Sequence, residues 1–295
     1  MKTSLVISAG RGCFMSCKGC YQNFGTTLLE TSELVRFVSE FKNRYDLRKV
    51  TLSGGDPLTR KDIVMLIDTL SRLGLSISMD TTGLPIIREQ KIIFHGNGYV
   101  PQIDAKSLKK VDMLGIPLDG HTTEIINTFR SNITLEDVKE ILAKLEETSI
   151  SVCVNTVVNL NNFLYLEDIY EVIKNFKCVK KWQLFQYSPI GEIAYKNRKM
   201  FEITDEMFHF STECLMKIKT RISIEPKSNS FRKRKYVLVS SDGQVWTPMY
   251  SKGKNFTASD EGTGKIVFGC VKKPEGMWKV LDNYFDNLED NERGN

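Results

Sequence analysis

The chain has 295 residues, of which 41% are hydrophobic and 26% are charged, with a formal net charge of +5. This composition is typical of a soluble globular protein, and no stretch approaches the ~20 consecutive apolar residues that a membrane span needs. A net charge this small permits an anionic substrate but does not indicate specific nucleic-acid binding.

The first apolar run, at residues 5–8, predicts a strand and is too short for the apolar region of a signal peptide. The chain has seven cysteines, an odd number with three of them clustered, which does not resemble a disulfide framework. Reduced thiols are therefore expected, and with them a cytoplasmic location and no membrane partner.

Strand-like and helix-like patterns alternate from this first strand onward. Short apolar runs predict further strands at residues 50–53, 77–80, 113–118, 151–158 and 182–187. Apolar residues at helical spacing predict helices between them at residues 34–41, 63–73, 134–145 and 166–176. Thr134 and Asp137 resemble a capping box at the start of one of these helices. Six such units predict an α/β fold with a parallel sheet, and six rather than eight indicate a partial (β/α)6 TIM-like barrel.

The alternation changes beyond about residue 200. A helix at residues 205–219 leads to a β-hairpin at 236–240 and 244–247, which turns at Asp242-Gly243. We therefore interpret residues 1–200 as the barrel. Residues 201–295 are interpreted as a C-terminal α+β extension rather than a seventh unit, ending in a frayed acidic tail from about residue 282.

Three cysteines, Cys13, Cys17 and Cys20, lie in one loop just after the first strand. Three thiolates within eight residues are a metal-binding arrangement. A structural zinc site takes four ligands and is closed, whereas an iron–sulfur cubane held by three cysteines leaves one iron open to a substrate or cofactor. No further cysteine or histidine lies close to Cys20 in sequence, so the spacing favours the open cluster. Three of the remaining cysteines, Cys153, Cys178 and Cys214, are predicted to be buried structural thiols.

The distinctive residues fall where predicted strands end. They are Cys13, Gly54, Thr81, Asp119, Asn159 and Gln186. In (β/α) barrels the carboxyl ends of the strands form the active-site face, so these residues predict one site at that edge.

The motif Cys13-x3-Cys17-x2-Cys20 after the first strand, with Gly54-Gly55-Asp56-Pro57 after the second, resembles the radical S-adenosylmethionine (radical SAM) superfamily. The resemblance implies that the thiolates hold three irons of a 4Fe–4S cluster, and that the fourth iron binds S-adenosylmethionine. It implies that an electron from the reduced cluster cleaves the cofactor to a 5′-deoxyadenosyl radical, which abstracts hydrogen from the substrate. An electron donor such as flavodoxin or ferredoxin and anaerobic chemistry are implied as well.

The resemblance also implies a set of cofactor-binding residues, with metal ligation by the three cysteines and no separate catalytic residue. The set is Tyr21, Gly54, Gly55, Asp56, Thr82, Asp119, Arg130 and Asn155. The chain departs from the family where Asp56 replaces the usual Glu, and where Gly19 stands in place of an aromatic residue, a role that we assign to Tyr21. Arg130 resembles the arginine that pairs with the methionine carboxylate, and a helix-surface arginine is the alternative.

Two finer resemblances point to different substrates. Residues 17–21 with 52–58 are similar to anaerobic ribonucleotide reductase activases. Residues 154–159 and 182–186, with 225–229, resemble viperin-like nucleotide dehydratases.

Three functions therefore stay open. The first is a radical enzyme acting on a small molecule, with a nucleotide as the candidate. Its possible phosphate partners are Arg221, Lys227, Arg232, Lys233 and Arg234. The second is a peptide- or protein-modifying radical enzyme, either a natural-product maturase or a glycyl-radical activase. The third is a non-enzymatic zinc or iron–sulfur scaffold.

Overall fold

A single mixed sheet organises the protein. The computed structural model describes residues 4–22, 27–230, 232, 236–248 and 265–293. Its strands in chain order are β1 (Ser4–Gly10), β2 (Lys49–Gly54), β3 (Ser76–Asp80), β4 (Gln90–Lys91), β5 (Tyr99–Val100), β6 (Met113–Pro117), β7 (Ser151–Val158), β8 (Val179–Gln186), β9 (Ser223–Lys227), β10 (Tyr236–Val239), β11 (Gln244–Pro248) and β12 (Lys265–Cys270). Hydrogen-bonded neighbours run β12-β11-β10-β1-β2-β3-β6-β7-β8-β9, and β4 pairs only with β5.

The six predicted strands form the centre of this sheet. They are β1, β2, β3, β6, β7 and β8, and each pairs in parallel with the next. Within the described part of the chain, β12 and β9 are edges that do not pair with each other, so the sheet stays open. The predicted α/β fold with an open, partial barrel is therefore confirmed.

The chain beyond residue 200 joins the same sheet. The predicted hairpin is present, since β10 and β11 pair antiparallel, and β10 also pairs in parallel with β1. The expectation of no seventh unit was wrong, because β9 adds a parallel strand beside β8. Its sequence, Ser-Ile-Glu-Pro-Lys, lacks an apolar run, and a proline is tolerated on an edge strand.

Helices pack around the sheet, most of them on the main apolar core and two short ones, at residues 192–196 and 198–201, in a separate cluster with Phe129 and Tyr187. The helices are α1 (Thr31–Tyr45), α2 (Ile63–Arg72), α3 (Leu84–Ile87), α4 (Thr123–Phe129), α5 (Leu135–Glu146), α6 (Leu166–Ile173), α7 (Glu192–Lys196), α8 (Arg198–Phe201), α9 (Asp205–Glu213) and α10 (Met277–Arg293). The capping box predicted for α5 is present, because Thr134 Oγ accepts from Asp137 N at 3.1 Å and Asp137 Oδ2 accepts from Thr134 N at 2.9 Å. In the described part of the chain no helix is long and apolar enough to cross a bilayer.

The two faces of the strands differ in polarity. Alternate side chains such as Ile7, Leu52 and Met79 are fully buried in the main apolar core. The residues between them form the opposite face, which we call the lumen face, and parallel register places Ser8 beside Ser53 and Asp80 beside Gly115 on it. The lumen face carries polar side chains such as the buried Ser8 and Ser53 and the half-buried Asp80, so it does not pack as apolar core.

The frayed tail predicted from residue 282 was wrong. Helix α10 begins at Met277, and its Leu281 and Phe285 are buried against the core. The Tyr45 hydroxyl donates to Asp282 at 2.6 Å, and the ring centroids of Tyr45 and Phe285 lie 4.6 Å apart. Because these apolar residues recur at helical spacing, the segment packs despite its acidic charge.

The prediction of buried cysteines is confirmed for two of the three positions. Cys153 and Cys178 are buried, but Cys214 is exposed. Cys214 directly follows α9, a helix that ends earlier than predicted and gives way to a 3-10 turn at Leu215–Lys217.

Candidate functional site

The cysteine loop is fixed by backbone hydrogen bonds on both sides. It leaves the carboxyl end of β1, and Cys13 N donates to Phe94 O at 2.8 Å. At the other side Lys18 N donates to Phe129 O at 3.0 Å, and Ser131 Oγ accepts from Ser16 N and donates to Ser16 O, both at 3.0 Å. Residues 129–131 therefore hold the loop from the end of α4. This support was not predicted from the sequence, because nothing in the local pattern at residues 129–131 indicates it.

Gly19 lies against this support. A Cβ atom at Gly19 would come within 2.2 Å of Phe129 Cε2 and 2.9 Å of Tyr187 Cε2. The position therefore cannot take an aromatic side chain without displacing Phe129, which gives a physical reason for the departure from the family pattern.

The three thiols suit a cationic iron centre. Burial raises the pKa of Cys20 to about 12, and burial followed by the charges of Asp56 and Cys17 raises that of Cys13. Thiolates so placed need a positive partner to ionise together, and iron supplies one. In the described residues, no three His, Cys, Asp or Glu side chains converge on a single ion. A cubane does not need such convergence, since each cysteine binds a different iron. The donor set therefore fits a 4Fe–4S cluster.

The Gly54-Gly55 loop packs backbone against backbone with the start of the cysteine loop. Gly55 N donates to Gly10 O at 2.9 Å, and Asp56 N donates to Gly12 O at 2.7 Å. A Cβ at Gly55 would lie 2.2 Å from Gly12 O, and Gly54 has a φ of +129°. Only glycine permits this approach, which presents backbone polar groups beside the thiols.

Asp56 and Thr82 are engaged with each other. The buried Asp56 carboxylate accepts from Leu58 N at 2.9 Å, from Thr81 Oγ at 2.9 Å and from Thr82 N at 2.7 Å. Burial raises its pKa, and these hydrogen bonds oppose the rise. The carboxylate thus ties the Gly54-Gly55 loop to the end of β3. Direct contact of the Asp56 and Thr82 side chains with a cofactor stays a prediction.

Asp119 and Arg130 form an ion pair beside the cysteine loop. Asp119 is 1% exposed, its Oδ1 accepts from Val157 N at 2.6 Å, and its Oδ2 accepts from Arg130 Nε. Arg130 Nη1 lies 3.6 Å from Cys17 Sγ, within hydrogen-bond distance for sulfur. The arginine is therefore held between the Asp119 carboxylate and the Cys17 thiol, and is not a helix-surface residue. Asp119 is the group that orients it.

Tyr21 and Asn155 lie further along the lumen face. The Tyr21 hydroxyl is 3.3 Å from Ser53 Oγ, and burial raises its pKa to about 12. Asn155 Nδ2 donates to Asp80 Oδ1 at 3.0 Å across β6. That bond passes over Gly115, where a Cβ would lie 2.0 Å from Asp80 Oδ1. Asn155 was among the residues predicted from the sequence, but its partner Asp80 was not.

Of the residues proposed as phosphate partners, those that the structure describes lie at different ends of the sheet. Arg221 donates at 2.8 Å to the carbonyls of Val179, Lys174 and Phe176, at the amino end of β8 and away from the thiols. Its selection was wrong. Arg232 Nη2 donates to Gln186 O at 2.6 Å, at the carboxyl end of β8. Lys233 and Arg234 lie outside the described residues.

The comparisons with known proteins agree with this geometry. The family model of the Radical SAM superfamily matches residues 7–180. An S-adenosylmethionine-dependent nucleotide dehydratase of Lacinutrix mariniflava is 25% identical over 81% of this chain and 50% of its own length. A Methanocaldococcus jannaschii protein, provisionally named as a glycyl-radical enzyme activating enzyme, is 24% identical over 77% of this chain and 83% of its own.

Solved structures share the fold. The structure of anSMEcpe with bound AdoMet aligns with a TM-score of 0.66 and 18% identity, covering 95% of this chain and 77% of the other. Streptococcus suis SuiB bound to precursor peptide SuiA aligns with a TM-score of 0.63 and 13% identity, covering 83% and 59%. The chain spans about half the length of the first curated relatives that it matches.

Proposed function

The chain belongs to the radical SAM superfamily, and we propose that it is an enzyme that removes a hydrogen atom from a small molecule at the carboxyl ends of its parallel strands. The cofactors of this family are a 4Fe–4S cluster and S-adenosylmethionine. When bound, they supply a 5′-deoxyadenosyl radical at the cost of one electron, for which a flavodoxin or ferredoxin is the proposed donor.

One observation carries the proposal. Three thiols, a glycine backbone cradle and a buried cation converge at one edge of the sheet, contributed by the segments after β1, β2 and α4. In this proposal Cys13, Cys17 and Cys20 ligate the cluster, and the backbone at Gly54-Gly55 binds the methionine amino group. Arg130 binds the methionine carboxylate, because it already lies beside Cys17 and carries a fixed positive charge.

We propose a nucleotide as the candidate substrate. The nucleotide dehydratase relative supports this version, since its similarity covers 81% of the chain, including the lumen strands β7, β8 and β9. The alternative is a peptide or protein substrate, supported by the activating-enzyme relative, 83% of whose length is covered. The likeness to SuiB, at 13% identity, supports the fold and not the substrate.

A substrate panel tests the choice. The reconstituted, reduced protein would be incubated with S-adenosylmethionine and each ribonucleoside triphosphate, and 5′-deoxyadenosine would be quantified by chromatography. Stimulation by one nucleotide, with a new nucleotide product, supports the first version. Formation of 5′-deoxyadenosine that no nucleotide stimulates would reject it and direct the search to peptides.

A further inference from the structure

A charged group occupies the lumen face of the last two parallel strands. Register places Gln183 beside Glu225, and Phe185 beside Lys227. The Glu225 carboxylate forms ion pairs with Lys181 Nζ at 2.6 Å and with Lys227 Nζ at 2.9 Å. It also accepts a hydrogen bond from Gln183 Nε2 at 3.1 Å. We call Lys181 and Lys227 the lysine pair. The carboxylate therefore sits between two ammonium groups from different strands.

The lysine pair is ordered but accessible. The side chains of Lys181, Glu225 and Lys227 are 30%, 28% and 16% exposed, so the group is neither a free surface patch nor sealed in the core. An ammonium group has three N–H donors, and Glu225 takes one from Lys181, which leaves that lysine able to bind a further acceptor.

The charge of the group is fixed at neutral pH. Burial opposes ionisation of Glu225, but hydrogen bonds from both lysines outweigh it and hold its pKa at about 2. Counted over these three side chains alone, two ammonium groups and one carboxylate give a net charge of +1. This balance suits one oxyanion group at a time, such as a carboxylate or a single phosphate group of a nucleotide, rather than several oxyanion groups together.

The opposite side of the lumen face has the reverse sign. Asp80 on β3 is held by Asn155 over the space left by Gly115, and the charge of Lys49 acts on its carboxylate. An anionic group is therefore repelled from β3 and attracted toward β8 and β9. The field across the lumen face fixes the direction in which an anionic ligand would lie.

Lys227 lies toward the same edge as the cysteine loop, whereas Lys181 lies nearer the amino end of β8 and is joined to Lys227 through Glu225. Val157, whose N–H binds Asp119, is in register with Phe185 on β8, and Phe185 is in register with Lys227 on β9. Neighbouring strands are about 4.8 Å apart, so the Lys227 backbone lies about 10 Å from that of Val157. A small substrate can span this distance between Lys227 and the backbone segment that binds Asp119.

We propose that Lys181 and Lys227 bind one oxyanion group of the substrate, a phosphate or a carboxylate, and that Glu225 sets the charge that selects a single such group. The inference rests on the proposed function, because that function places the substrate on the lumen face, toward the carboxyl ends of the parallel strands. It narrows the substrate class to small molecules that present one oxyanion at this subsite.

Titration calorimetry with simple probes tests the subsite. The cluster-reconstituted protein with S-adenosylmethionine would be titrated with inorganic phosphate, acetate and tripolyphosphate. Phosphate or acetate should bind, and the one that binds identifies the source of the oxyanion. Lys181→Met and Lys227→Met should each weaken that binding at least tenfold. The matched control is Lys180→Met, on the exposed neighbouring residue, which should change it less than twofold.

A variant that is expected to bind an anion more tightly, rather than more weakly, excludes simple damage to the fold as the explanation. Glu225→Gln raises the net charge of the group to +2, so it should bind tripolyphosphate at least tenfold more tightly than the wild type does. No binding of phosphate or acetate to the wild type would overturn the proposal. So would equal binding by Lys181→Met and Lys180→Met, or Glu225→Gln affinity for tripolyphosphate that is unchanged or weaker.

The test separates this inference from the proposed function. Formation of 5′-deoxyadenosine by the wild type without substrate reports the radical chemistry alone. If the wild type fails there, the proposed function is wrong. If it succeeds while the probes fail to bind, only the oxyanion subsite is wrong.

Discussion

Replacing Asp80 with asparagine should stabilise the protein, and by more at high pH. Burial raises the pKa of Asp80 to about 6, although the hydrogen bond from Asn155 and the charge of Lys49 oppose the rise. In an unfolded chain the pKa is about 3.9. Because the folded pKa is the higher one, the ionised carboxylate destabilises the fold, and this cost appears as pH rises from about 4 through 6.

The size of the stability difference follows from the shift in the pKa of Asp80 between the unfolded and the folded protein. A difference of about 2 pKa units corresponds to about 3 kcal/mol once both states are ionised, near pH 8, and to about 1.5 kcal/mol at pH 5. Asparagine keeps an oxygen that can accept from Asn155 Nδ2, now 3.0 Å from Asp80 Oδ1, and it fits the same space over Gly115. The Asp80→Asn variant should therefore exceed the wild type in stability by about these amounts.

Urea unfolding at pH 5, 6, 7 and 8 measures this difference. The reduced, cluster-free protein would be followed by circular dichroism, and the free energy of unfolding of the variant compared with that of the wild type. Asp286→Asn, at an exposed position on α10, is the control and should change stability by less than about 0.5 kcal/mol. A gain that does not depend on pH, or a loss at pH 8, would refute the reasoning.

Three further substitutions test other parts of the structure. Cys17→Ala should lose the full 4Fe–4S cluster, because two thiolates remain, and iron analysis with electron paramagnetic resonance after reduction would reveal a cluster that persisted against this expectation. Arg130→Ala should keep the cluster and bind S-adenosylmethionine more weakly, and it should destabilise the fold by about 3 kcal/mol because buried Asp119 loses its partner. The double variant with Asp119→Asn should recover stability but not affinity, and recovery of both would remove Arg130 from the cofactor site. Leu281→Ala, which removes a fully buried side chain of α10, should lower the free energy of unfolding by about 2–5 kcal/mol. Val280→Ala, on the exposed side of the same helix, should lower it by under about 1 kcal/mol. Equal small losses in the two variants would show that the helix does not pack against the core.

Much of the fold could be predicted because its signals are local. The central strands combine short apolar runs with glycines or polar residues at their ends, and β7 was predicted with both ends correct. Strand β9 was missed because its stability comes from pairing with β8 and not from its own composition, which includes Pro226. Helix α10 was missed because charge was counted and the spacing of Leu281 and Phe285 was not.

The residues of the candidate site also differ in whether a local sequence signal predicts them. The cysteine loop and the Gly54-Gly55 loop are contiguous motifs, so their spacing alone predicted them. The contacts that support them join distant segments, such as Ser16 with Ser131, which are 115 residues apart, and Asp80 with Asn155, which are 75 apart. No single sequence shows such pairs, because only the parallel strand order brings them together.

The most direct test of the central claim is cofactor cleavage. The protein would be reconstituted anaerobically with iron and sulfide, reduced with dithionite and incubated with S-adenosylmethionine, and 5′-deoxyadenosine would be measured beside the Cys17→Ala variant. We expect 5′-deoxyadenosine and methionine from the wild type, and none above background from the variant. A spectroscopically intact cluster that yields no 5′-deoxyadenosine would contradict the account.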